Sequence, residues 1–69
     1  MTRYEKENIK IRFLKLIVLK STGRPIDLAL RFGISARTVK RIAREFREAG
    51  YRIRFCRNIE SYIFVYDHL

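Results

Sequence analysis

The sequence predicts an α+β domain: three helices in series, closed by a C-terminal β-hairpin. Three observations point there. Apolar residues recur at helical spacing as far as Ala49, then alternate strictly from Arg52 onward. The rare breakers Gly23, Pro25, Gly33 and Gly50 fall between the periodic stretches and divide the chain into four segments. Apolar residues make up 48% of only 69 residues, enough for one small core and a single domain over 1–69.

The first segment predicts a helix over residues 4–20. Ile9, Phe13, Leu16 and Ile17 share one face, and Ile11, Leu14 and Val18 form a second apolar stripe beside it. Residues 9–13 also alternate with period two, so a strand is an alternative there, though length favours the helix. The apolar arc is wider than a surface helix needs. Either a partner chain covers the excess, or the hairpin and the C-terminus do.

The second segment is a short helix. Pro25 suits its first position, where no N–H is required. Asp27 favours the helix dipole in the first turn. Leu28, Ala29 and Phe32 can face inward, and Gly33 ends the helix in a left-handed conformation. The third segment starts at Ser35, a preferred N-cap. It runs to Ala49 with Gly50 beyond it, and Val39, Ile42, Phe46 and Ala49 are the expected core positions.

The last segment reads as a hairpin over 52–66. Residues 52–56 form the outgoing strand, with Arg52 and Arg54 on one face and Ile53 and Phe55 on the other. Residues 57–61 form the turn, with Asn58 as the residue that tolerates positive φ. Residues 62–66 return, rich in β-branched and aromatic side chains. Tyr51, Tyr62 and Phe64 are expected to pack rather than to stack on a ligand.

Charge narrows the function. The net charge is +9, from 16 Lys and Arg against 7 Asp and Glu. So large an excess repels itself, and a polyanionic partner rationalises it. On a helical wheel Arg37, Arg41 and Arg44 point nearly opposite Val39, Ile42 and Phe46, with Lys40 and Arg47 on one flank. Glu48 lies one turn beyond Arg44, and Glu45 lies on the other flank. An exposed face on an amphipathic helix is often simply solvated. A nearly pure cationic run after a short helix and a tight turn argues for more. The major groove of duplex DNA admits an α-helix, and arginine forks can bind guanine edges or phosphate.

These residues carry a family resemblance. LALRFGISARTVKRIAREFREAGYRI, residues 28–53, resembles the helix-turn-helix and following strand of bacterial and archaeal winged-helix DNA-binding domains. Leu28, Ala29, Phe32, Gly33, Ile34, Ser35, Arg37, Thr38, Val39, Arg41, Glu48, Ala49, Gly50 and Tyr51 fall on the pattern. The resemblance implies a three-helix winged helix-turn-helix that binds double-stranded DNA in a sequence-specific way and regulates transcription, with helix 36–49 in the major groove and hairpin 52–66 as the wing. Arg37, Lys40 and Arg41 would read bases, and Ala36 would allow close approach. Ser35 and Thr38 sit at the helix start, where Thr38 helps the cap or reaches a phosphate. Arg44, Arg47 and Arg54 would grip phosphate, and Arg57 and Asn58 at the wing tip would meet phosphate or minor groove.

Two positions depart from the pattern. Ile42 stands where relatives often carry an acid, and Ser61-Tyr62 stands where many have Gly-Tyr. No small-molecule effector domain is expected alongside. A single recognition helix spans few base pairs, so a homodimer would help, and the exposed part of the first helix is its candidate interface.

Other classes fit less well. A lone Cys56 and a lone His68 cannot build a zinc site, and no cofactor is implied. No paired carboxylates, metal set or phosphate loop suggest an enzyme. With no signal peptide or membrane span in view and no disulfide possible within the chain, a cytoplasmic location is expected. The alternatives kept open are a winged-helix protein-interaction or assembly module, and RNA in place of DNA.

Overall fold

A computed structural model describes residues 2–65. Three helices, α1 (Arg3–Val18), α2 (Pro25–Phe32) and α3 (Ala36–Glu48), precede two strands, β1 (Ile53–Cys56) and β2 (Ser61–Phe64). The strands pair antiparallel, with Ile53 opposite Phe64 and Cys56 opposite Ser61. The element order is the one the periodicities predict, and the layout is that of a three-helix winged helix-turn-helix, as the resemblance implies.

Helix α1 is a helix throughout, so the strand alternative at 9–13 fails. Thr2 caps it, its hydroxyl accepting from the Glu5 amide at 3.1 Å. The helix ends two residues before the predicted boundary. Lys20 takes a left-handed φ of 55°. Its amide bonds to the Ile17 carbonyl, and the Ser21 amide to that of Leu16. This is a Schellman closure, usually given to Gly, here built on Lys.

The core sits between the three helices and one face of the hairpin. Phe13 is its centre. It is fully buried, with ring centroids of Phe46, Tyr62 and Phe32 at 5.5, 5.4 and 6.4 Å. Ile9, Ile17, Leu28, Ala29, Val39, Ile42, Ala43, Phe46, Ile53 and Tyr62 complete it. Leu16 and Phe32 are half-buried against it. The second α1 stripe is different: Leu14 is partly covered, whereas Ile11 and Val18 are 53% and 66% exposed. Neither strand covers them, and residues 66–69 lie outside the described residues.

Ala49 is exposed, contrary to the expectation of a core position; Ala43 takes the inward place. The reason is the helix end. Ala49 caps α3, Gly50 turns left-handed at φ 102°, and the Tyr51 amide bonds back to the Phe46 carbonyl. The Tyr51 ring meets the Phe46 ring edge-on at 5.7 Å, closing the motif with an aromatic contact.

The hairpin turn also differs from expectation. Residues 57–60 form it, and the left-handed residue is Glu60 at φ 50°, not Asn58. Ser61 belongs to β2 and is fully buried. Its hydroxyl accepts from the Thr22 amide at 3.0 Å. The Thr22 hydroxyl accepts from the Tyr62 amide at 2.8 Å and lies 3.2 Å from the Ser61 hydroxyl. This buried polar knot ties the wing to the α1–α2 loop, satisfying groups that would otherwise lose their hydrogen bonds. The strand predicted over 62–66 ends at Phe64 among the described residues; Tyr66, like His68, lies outside them.

Candidate nucleic-acid interface

Helix α3 is placed by both of its ends. Gly33 takes φ 68° at the end of α2, where a side chain would be strained. The Ser35 hydroxyl then accepts from the Thr38 amide at 3.1 Å and lies 2.9 Å from the Thr38 hydroxyl. Both hydroxyls are thus engaged in the cap. Ala36 is half-buried against the core, so it stands at the edge of the exposed face.

Outward from there the face is cationic. Arg37, Lys40, Arg41 and Arg44 are exposed and line one shallow hollow of about 290 Å³. Among the described residues, the side chains of Arg37, Lys40 and Arg41 make no ion pair or hydrogen bond. Arg44 is partly neutralised, with its Nε 3.9 Å from Glu48 in an exposed pair. Charge is therefore concentrated in the N-terminal part of α3.

The other acid of this helix is turned away. Glu45 accepts from Lys6 and Lys10 of α1, each at 3.0 Å. Hydrogen bonds from Lys10 and then Lys6 hold its carboxyl below the ordinary carboxylate range, against a smaller opposing effect of burial. Its negative charge is thus spent on α1 and leaves the arginine face unscreened. Sequence reasoning put Glu45 on the flank but found no partner for it.

Arg47 has a second engagement. Although exposed, it donates through Nε to the Ile53 carbonyl at 2.9 Å. It ties the last turn of α3 to the base of β1, leaving its terminal nitrogens for other acceptors. No pattern in the sequence signals this bond, because it forms only across the tight turn at Gly50.

On the wing, Arg54 is exposed, and Arg57 and Asn58 are exposed in the turn. The turn is tethered on its far side: Arg24 reaches Asp27 at 3.2 Å and Glu60 at 3.5 Å. A hydrogen bond from Arg24 is the main reason the Asp27 carboxyl sits below its usual range. Thus the structure brings Arg37, Lys40, Arg41 and Arg44 onto one hollow and places Arg54, Arg57 and Asn58 on a separate element.

Among the described residues no group of three or more His, Cys, Asp or Glu could hold a metal ion. No helix among them is long and apolar enough to cross a membrane. Comparison with protein-family models, with curated proteins and with solved structures gives no match.

Proposed function

We propose that this domain binds double-stranded DNA, with α3 in the major groove and the hairpin lying along the backbone as a wing, and that it serves to regulate transcription in the cytoplasm. One observation carries the reading: the outer face of α3 presents Arg37, Lys40 and Arg41 without counter-charge, on a rod fixed by its buried side. Side chains at the start of such a helix reach base edges, and arginine is the residue suited to guanine O6 and N7. Arg44, Arg47, Arg54 and Arg57 supply phosphate contacts, which fix register without reading sequence. Titration of duplex DNA at low and moderate salt tests this. Binding that weakens steeply with salt is expected; no binding at low salt refutes it.

A second reading is favoured by a different observation. Tyr4, Ile11 and Val18 are exposed at seven-residue spacing along α1. Such a stripe suits packing against another helix, either of a second copy, giving a homodimer, or of a protein partner in an assembly module. Sedimentation of the free chain separates these from a monomer. A monomer that binds DNA through α3 leaves the first reading standing alone.

A further inference from the structure

The cations of α1 fall into two groups with opposite fates. Lys6 and Lys10 point toward α3 and are claimed by Glu45. Arg12 lies two residues beyond Lys10, about 160° away around the helix at 100° per residue. It faces the α2 side. There Arg12, Lys15 and Arg31 line a hollow of about 200 Å³ with the half-buried Leu16. No carboxylate lines this hollow. Glu5 lines the adjoining one and forms no ion pair with Arg12. Among the described residues, none of these three cations makes an ion pair.

Three cations held together without a counter-ion repel one another. The C-terminal dipole of α2 accounts for Arg31, which lies in its last turn. The C-terminal dipole of α1 accounts likewise for Lys15, in the last turn of that helix, and neither dipole accounts for Arg12. Arg12 is also held in place: its guanidinium carbon lies 5.1 Å from the centroid of the Phe32 ring. The planar fork is thereby oriented before any ligand arrives, which reduces the ordering cost of binding an anion.

We propose that the α1–α2 hollow is a second phosphate-binding site, which takes the phosphodiester backbone of a second nucleic-acid segment. Phosphate oxygens accept from the Arg12, Lys15 and Arg31 donors, and the sugar rests on Leu16. The α3 hollow repeats the same chemistry, with Arg37, Lys40, Arg41 and Arg44 and no lining acid. Glu45, one carboxylate set between the two ammonium groups of Lys6 and Lys10, forms a partly neutralised seam between the two faces. One chain thus bridges two duplex segments. The kind of polymer and the bridging rest on the reading of α3; the hollow and its charge do not.

The test uses the whole chain, two pools of a short duplex carrying donor and acceptor dyes, and the variant Lys15→Gln/Arg31→Gln, which spares the aromatic contact of Arg12. Single-duplex binding is followed by anisotropy and bridging by energy transfer between pools. The wild type is expected to bind and bridge. The variant should bind a single duplex like the wild type, yet give transfer no greater than duplex alone. Undiminished bridging by the variant overturns the proposal and points to two chains joined through α1. Single-duplex affinity that drops in Arg37→Gln/Arg41→Gln, but not in Lys15→Gln/Arg31→Gln, keeps the α3 reading separate from this one. Tripolyphosphate, followed by NMR, distinguishes a free ligand. Shifts at Lys15 and Arg31 that duplex DNA displaces support the backbone site; shifts that DNA does not displace, or none, overturn it.

Discussion

Replacing Thr22 by Val keeps the shape of a buried side chain and removes one hydroxyl. That hydroxyl accepts from the Tyr62 amide at 2.8 Å, donates to the Gly23 carbonyl at 2.8 Å and touches the Ser61 hydroxyl. Thr22 and Tyr62 are both buried, so water cannot replace the lost acceptor. A buried amide left unsatisfied costs about 1–3 kcal/mol. A domain of this size holds roughly 3–10 kcal/mol in total, at 0.05–0.15 kcal/mol per residue. The substitution therefore removes a large share of the stability. With a urea slope near 1 kcal/mol per molar, as expected for so small a domain, the midpoint should fall by about 1–3 M. Thr22→Ser, which keeps the oxygen, should stay close to the wild type. Urea unfolding followed by circular dichroism reads both. Equal midpoints for Thr22→Val and wild type would refute the claim that this knot joins the wing to the helices.

Three further outcomes follow from the same geometry. Glu45 has a depressed carboxyl pKa, so its contribution is complete above the ordinary carboxylate range and is lost as pH falls through its folded value. Melting temperature should decline below about pH 5, and Glu45→Gln should flatten that decline; an unchanged profile contradicts the α1–α3 tie. Arg47→Lys keeps the charge but loses the Nε bond to Ile53, worth about 1 kcal/mol. Amide exchange in the hairpin should quicken while the salt dependence of DNA binding stays the same, and unaltered exchange would count against the tie. Arg57→Glu should weaken duplex binding and reduce its log–log salt slope by about 1 or more if the wing tip meets phosphate; an unchanged slope removes Arg57 from the interface.

Local signals were legible in the sequence, and distant ones were not. Helix α3 could be read because Gly33, Ser35 and Gly50 each carry their own conformational reason, and the apolar period between them is strong. The start of α2 was equally plain from Pro25 and Asp27. The end of α1 was misplaced because Lys20 adopts the left-handed φ that pattern reading expects of Gly. The same substitution of roles occurs in the wing, where Glu60 and not Asn58 turns left-handed. Ser61 looked like a turn residue since nothing nearby reveals that Thr22, 39 positions earlier, needs its oxygen. Glu45 and its lysines are separated by a similar distance along the chain. Of the candidate site, the α3 face could be read from a helical wheel. The second engagement of Arg47 depends on a turn geometry that no periodicity encodes.

The central claim is that the open face of α3 is what meets duplex DNA. The most direct measurement compares the affinity of the wild type and Arg37→Gln/Arg41→Gln for one duplex at a fixed low salt, with both chains shown to be folded by circular dichroism. If each arginine contributes about 1–3 kcal/mol, the double variant should bind roughly 30-fold more weakly or worse. Equal affinities in two folded chains would contradict the account.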